Sequence, residues 1–134
     1  MILLDTHVAL WARAGERLKP KARDAILAAS SQRRGIGVSA ISVWEMAMLV
    51  AKGRITVDID AFVRETFLRQ DVLELPVTAG IGLRAARLLD FHGDPADRIL
   101  VATALENDVT FITRDGKILR FAKKSGGTLR VIEA

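Results

Sequence analysis

The sequence predicts an α/β fold, a three-layer α/β/α sandwich around a short-stranded, mainly parallel central sheet. Three observations carry this. Short apolar runs alternate with helical stretches along the chain. The runs are mainly apolar rather than regularly alternating with polar residues, as expected of strands covered on both faces. Each spans only three to five residues, which suits a small sandwich.

Ile2-Leu3-Leu4 is the first strand and runs into Asp5. A helix follows from Thr6 to about Ala14, and a second runs from about Lys21 to Ser31, opened by Pro20 at a first-turn position. Ile36-Gly37-Val38 is the second strand, and Ser39 or Ser42 caps a long helix ending at Gly53. Asp60 caps a helix to about Gln70. Val72 to Leu75 form the third strand, closed by Pro76, and Thr78 caps a helix through Leu89. Asp94-Pro95-Ala96-Asp97 is the clearest helix start. Asp94 is the N-cap, Pro95 sits at N1, and Asp97 at N3 puts negative charge where the helix dipole favours it. That helix runs to about Asn107. Thr110 to Thr113 form the fourth strand with Asp115 just beyond it, and Leu129 to Ile132 the fifth. No repeat, low-complexity segment or linker separates them.

The 134 residues match the size of one domain. Half are apolar and 27% are charged, the balance of a globular chain. With no cysteine, disulfides, iron–sulfur clusters, thiolate zinc sites and cysteine nucleophiles are excluded. No apolar run approaches the roughly 18 residues a membrane span needs. The opening MILLDTHVAL lacks the basic region and cleavage site of a secretory leader, so the expected location is cytoplasmic, with no membrane partner. The 20 basic and 16 acidic residues leave a net charge of +4, which favours a polyanionic partner.

Against that positive field, acids gather in one place. Active sites of open parallel α/β sheets lie beyond the carboxyl ends of the strands. Asp5 ends the first strand, and Glu45 lies on the inner part of the helix after the second. Asp97 is in the first turn of the Asp94 helix, and Asp115 follows the fourth strand. Each has an ordinary structural use alone: turn former, buried helix acid, N3 residue, turn starter. Their joint placement is the signal. Carboxylates within about 4–6 Å raise one another's pKa, a cost that a divalent cation removes. Oxygen ligands without cysteine or paired histidines select Mg²⁺ or Mn²⁺ over zinc. Such an ion activates water and stabilises charge on a phosphoryl oxygen, the apparatus of phosphodiester hydrolysis.

Four segments, LLDTH (Leu3 to His7), SAISVWEMAM (Ser39 to Met48), HGDPADRILVATA (His92 to Ala104) and FITRDGKI (Phe111 to Ile118), resemble the PIN domain. More narrowly they resemble the VapC toxins of type II toxin–antitoxin systems. The likeness spans residues 2 to about 132 in the expected order, within a single PIN-like domain over 1–134. It implies a Mg²⁺- or Mn²⁺-dependent endoribonuclease that cuts RNA. It also implies a VapB-type antitoxin partner, a homodimer, and promoter DNA bound only through the antitoxin. Asp5, Glu45, Asp97 and Asp115 match the metal-binding and catalytic acids, holding the ion directly or through water. Thr113 matches a hydroxyl lining the site, and Asp94 and Thr6 are supporting positions. Arg98, Arg114 and Lys117 lie close enough in sequence to be candidate phosphate contacts. Ala96 stands where the family usually has a bulky aromatic residue, which affects packing and leaves the acids intact.

Other signals are weaker. Gly80-Ile81-Gly82-Leu83-Arg84-Ala85 fits the relaxed dinucleotide fingerprint but lies in the third strand–helix unit, without the required acid about 20 residues on. His7 and His92 form no metal-spaced pair, and neither a nucleophile elbow nor a phosphate-cradling loop is present. Trp11, Trp44, Phe62 and Phe67 have the spacing of core or interface residues, and Trp11 with Leu10 and Leu18 is placed to line an antitoxin groove. The basic residues around Lys19, Lys21, Arg23, Arg33-Arg34 and Lys123-Lys124 read as solvated faces that widen the positive field. Three competing classes remain. One is a PIN-like nucleic-acid-binding or regulatory module with little activity. Another is a structure-specific DNA nuclease, for which 134 residues leave no duplex-holding segment. The last is a phospho-acceptor receiver domain, which needs two adjacent acids where Asp5-Thr6 offers one.

Overall fold

The computed structural model describes residues 1–134. Along the chain run β1 (Ile2–Leu4), α1 (Thr6–Ala14), α2 (Pro20–Ser30), β2 (Ile36–Ser39), α3 (Ala40–Ala51) and α4 (Ile59–Phe67). These are followed by β3 (Val72–Leu75), α5 (Ala79–Ala86), α6 (Pro95–Glu106), β4 (Thr110–Thr113), α7 (Gly116–Lys124) and β5 (Val131–Glu133). The five strands form one sheet in the order β3-β2-β1-β4-β5, every pair parallel. No helix is long and apolar enough to cross a membrane.

The apolar strands serve both faces of the sheet, and successive side chains point to opposite sides. Leu3 and Phe111 join Leu100, Val101, Ile118 and Ala122 on one face, under α6 and α7. Their chain neighbours Leu4 and Ile112 join Val8, Ala22, Met46 and Phe62 on the other, under α1 to α4. The α/β/α sandwich expected from the mainly apolar strands is what forms. The chain builds from β1 outward through β2 to β3, then returns to add β4 and β5 on the other side of β1. The crevice beyond the carboxyl ends of β1 and β4 is therefore the place where the winding reverses.

Gly35 makes the turn into β2 possible. A Cβ there would lie 2.1 Å from the Ala29 carbonyl oxygen and 2.9 Å from its carbon, so only glycine passes the end of α2.

Several element ends differ from expectation. Asp58, not Asp60, caps α4, accepting from the Ala61 amide at 3.1 Å, while Asp60 sits in the first turn. Ser39 caps α3, accepting from the Ile41 amide, whereas Ser42 is buried at the α1–α3 contact. The long helix closes at Ala51, with Gly53 left-handed beyond it. Helix α5 stops at Ala86, not Leu89, where Arg98 takes its last carbonyls and one in the loop beyond: the guanidinium donates to Ala85 O at 2.7 Å, to Ala86 O and to Phe91 O. The fifth strand starts at Val131, and Leu129 packs in the core ahead of it. Helix α7 is an element the sequence reading lacks. Asp115 is its N-cap and accepts from the Lys117 and Ile118 amides, while Ile118 and Ala122, four apart, bury its inner face. Trp44 is 56% exposed on α3 and belongs to no core.

The Arg98 clamp predicts a stability effect. Phe91 is buried and its carbonyl has Arg98 as its donor, while the Ala85 carbonyl keeps a long bond from the Leu88 amide at 3.4 Å. Arg98→Met therefore orphans the first and weakens the bonding of the second. That costs about 1–3 kcal/mol per orphaned acceptor. The urea midpoint falls accordingly, and a midpoint equal to wild type contradicts the clamp.

Candidate metal centre

Each acid reaches the crevice through a local rule of folding. Asp5 leaves β1 and caps α1: its Oδ1 accepts from the Thr6 amide at 2.7 Å, and its own amide donates to Ile112 O at 3.0 Å. Its Oδ2 accepts from the Thr113 hydroxyl at 2.6 Å. Thr113, fully buried at the end of β4, also accepts from the Asp115 amide at 3.0 Å, so one hydroxyl joins the two strand ends. Burial pushes the Asp5 carboxyl above its ordinary value, opposed by the hydrogen bonds from Thr113 and Thr6.

Glu45 projects from the second turn of α3. The fully buried Thr6 hydroxyl donates to its Oε1 and pairs with the Ser42 hydroxyl at 3.0 Å. Burial raises the Glu45 carboxyl, the Thr6 bond lowers it, and the negative charges of Asp5 and Asp94 raise it further. Thr6 and Thr113 thus do the same task for different acids, each fixing a carboxylate by a hydroxyl hydrogen bond, although Asp5 has its second oxygen held as well, by the Thr6 amide.

The loop before α6 supplies the remaining pair. Asp94 caps the helix through Oδ1, which accepts from the Asp97 amide at 2.8 Å. Gly93 precedes it in a tight passage. A Cβ there would lie 2.4 Å from the Phe91 ring and 3.1 Å from Asp97 Cβ. Asp97 carries the largest perturbation. Burial first, then the charges of Asp94, Asp115, Asp5 and Glu45, push its carboxyl up to about 7.

Asp5, Glu45, Asp94, Asp97 and Asp115 line one crevice of about 410 Å³, with His7, Trp11 and Arg114. Carboxylate oxygens of Glu45, Asp94 and Asp97 lie within 4.8 Å of one another. This donor set fits a hard divalent cation: it is all oxygen, and burial together with the charges of neighbouring acids raises the Glu45 and Asp97 carboxyls, a cost that a cation would relieve. Asp94, read from the sequence as a supporting residue, stands in the tightest group of three. Asp5 and Asp115 border it.

The candidate phosphate contacts separate. Arg114 lines the crevice, its guanidinium 4.1 Å from the Trp11 ring centre and held by Ala134 O and Arg17 O. Arg98 does not, because its guanidinium is engaged by the backbone carbonyls at the end of α5. Lys117 lines a separate, neighbouring depression. Sequence reasoning gave Trp11 to an antitoxin groove and His7 no part in the site, whereas both line the acidic crevice, ring centres 5.7 Å apart. The signal was present, since residues four apart on the helix that begins at Asp5 share its crevice-facing side.

Residues 2–124 match the PIN domain family. The chain is 35% identical over 119 residues to Ribonuclease VapC22 of Mycobacterium tuberculosis (strain ATCC 25618 / H37Rv), covering 87% of this chain and 88% of that one. The fold is similar to VapBC2 from Rickettsia felis bound to a promoter DNA fragment, with a TM-score of 0.69 at 17% identity over 100% and 99% of the two chains. It is also similar to FitAcB from Neisseria gonorrhoeae, with a TM-score of 0.59 at 24% identity over 98% and 96%. At these identities the two structures speak for the fold alone. A family match over nearly the whole chain, and a VapC relative aligned along most of both sequences, lead to one conclusion: the chain belongs to the PIN domain family.

Proposed function

We propose that the protein is a Mg²⁺- or Mn²⁺-dependent endoribonuclease, the toxin of a toxin–antitoxin pair. The observation that carries the reading is the convergence of five carboxylates on one crevice in a chain of net charge +4. The near full-length likeness to a protein named as a ribonuclease supports RNA as substrate. Such a substrate suits a cytoplasmic place of action.

Glu45, Asp94 and Asp97 would hold the cation, with Asp5 and Asp115 completing the shell directly or through water. A divalent ion so held lowers the pKa of a coordinated water and stabilises charge developing on a phosphoryl oxygen. The chain's own residues do the positioning. Thr113 and Thr6 fix the carboxylates of Asp5 and Glu45, so no reorientation is needed on loading. Arg114, immobilised over Trp11, presents a cation at the crevice wall to a bound phosphate.

A VapB-type antitoxin as partner is supported by the similar structures, which are toxin–antitoxin complexes, one of them on promoter DNA. DNA contact would then come through the antitoxin. A homodimer is supported by Trp44 and Met48, exposed one turn apart on α3.

The test is induced expression in a bacterial host with mapping of RNA 5′ ends. Growth arrest with new ends at discrete positions, both lost in Asp5→Asn, is the expected result. A chain that neither arrests growth nor creates new ends is not a ribonuclease toxin, and binding without cleavage would point to the regulatory class.

A further inference from the structure

Beside the acidic crevice lies a second depression of about 250 Å³, and its character is the opposite. Lys117, Arg120 and Lys124 of α7 line one side and His92 the other, with Asp90 the one acid. Phe91 and Phe121, packed with ring centres 5.3 Å apart, lie between them. We propose that this cationic face of α7 is the track on which the RNA backbone lies next to the cleavage site, contacting phosphates other than the one cut. The proposal rests on the ribonuclease reading and extends it to the surface that holds the substrate.

Three features support it. The first is charge without partners. Helix α7 carries Lys117, Arg120, Lys123 and Lys124 and no acid, as many cations as the net charge of the whole chain. None of the four is in an ion pair, whereas six pairs engage arginines and lysines elsewhere.

The second is continuity. Asp115 lines the acidic crevice and caps α7, and Lys117 lies in the first turn of that helix. On the opposite wall His92 lines the basic depression and Asp94, two residues on, the acidic one. The two depressions are lined by different residues, but on both sides those residues are two apart in the chain.

The third is the aim of Arg120. A Cβ at Gly116 would lie 3.0 Å from the Arg120 guanidinium, so glycine at the start of α7 lets that side chain fold back toward the junction.

The physical need is plain. Five carboxylates repel a polyanion, and in cellular salt a charge acts over only about 8 Å. Compensating cations must therefore border the crevice, and beyond Arg114 on its wall α7 supplies them. Lys117 and Lys124 are about 10 Å apart along the helix axis, enough for consecutive phosphates. An acidic protein segment would need no continuity with the acidic crevice, and RNA threaded through it does.

The experiment measures binding of a short fluorescein-labelled single-stranded RNA, in EDTA to prevent cutting, across a salt series. Wild type, Lys117→Ala/Lys124→Ala and Lys117→Arg/Lys124→Arg are compared, with melting temperatures as the folding control. The alanine pair should bind about tenfold more weakly. Its slope of log K against log salt should be shallower by about 1.4, roughly 0.7 per lost contact. The arginine pair should keep both values. Affinity and slope unchanged in a folded alanine pair overturn the proposal. So does unchanged RNA binding alongside lost binding of a poly-glutamate peptide, which would assign the face to an acidic protein. Metal-dependent RNA cleavage by wild type is run in parallel. If that is absent the ribonuclease reading itself fails, and if present a negative binding result falls on the α7 track alone.

Discussion

Asp97→Asn is expected to remove ribonuclease activity and to stabilise the metal-free protein. The two effects have one cause. Asp97 belongs to the tight group with Glu45 and Asp94, so losing its charge removes a member of the proposed cation shell. Metal-assisted stabilisation is worth several kcal/mol, and at 1.36 kcal/mol per decade the cleavage rate should fall about a thousandfold or more. The substitution is nearly isosteric and keeps the backbone amide that donates to Asp94. Stability moves the other way. An acid at N3 normally gains about 0.3–1 kcal/mol from the helix dipole. Here the carboxyl sits at about 7 despite that dipole, so burial and four neighbouring acids outweigh it. Asp97 is half-exposed, and solvent screening reduces the penalty. A gain of about 2–5 °C in melting temperature at pH 8 in EDTA is the expectation. A variant that cuts RNA at the wild-type rate, or melts lower without metal, contradicts the assignment.

Metal-free wild type should lose melting temperature as pH rises from 5 to 8, and a divalent cation should restore it. Raised carboxyl values at Asp97, Asp5 and Glu45 mean that the folded state retains protons the unfolded chain has released. The stability they contribute is complete below the ordinary carboxylate range. It is lost as pH climbs to about 7 at Asp97. Asp71 works in the opposite sense, held low by Arg69, but its contribution is lost only on acidification below the carboxylate range and leaves the window clear. Cation binding at a hundredfold excess over Kd adds about 2.7 kcal/mol. That gain should grow with pH, because Asp97 must release its proton to become a ligand. A melting temperature flat from pH 5 to 8, with an equal metal shift at both ends, would deny that these acids repel one another.

How far the sequence speaks depends on which interactions decide each feature. Ile2 to Leu4 and Thr110 to Thr113 are legible as strands because burial on both faces demands short apolar, β-branched runs. The Asp94-Pro95 start is legible because capping is local. Helix α7 escaped because its opening Gly116 is a poor helix former and its cap, Asp115, already had a use as a site acid. The role of Arg98 depends on where α5 ends, since Arg98 reaches back to Ala85 at that end and to Phe91 beyond it. Such a dependence leaves no mark at either position alone. Four of the acids, Asp5, Glu45, Asp97 and Asp115, could be gathered by topology, whereas Asp94 read as a helix cap. The closeness of Asp94 to Glu45 and Asp97 comes from a loop threaded between Phe91 and Asp97 at Gly93, which no spacing rule describes.

The central claim is that these acids make a metal-dependent RNA-cutting centre. Its most direct test is incubation of a mixed RNA pool, including tRNA and rRNA, with purified partner-free protein. Mg²⁺, Mn²⁺ and EDTA are compared, beside Asp97→Asn. The account predicts cutting at discrete positions with either metal and none with EDTA or in the variant. Cutting that persists in EDTA, or that survives Asp97→Asn, would contradict it.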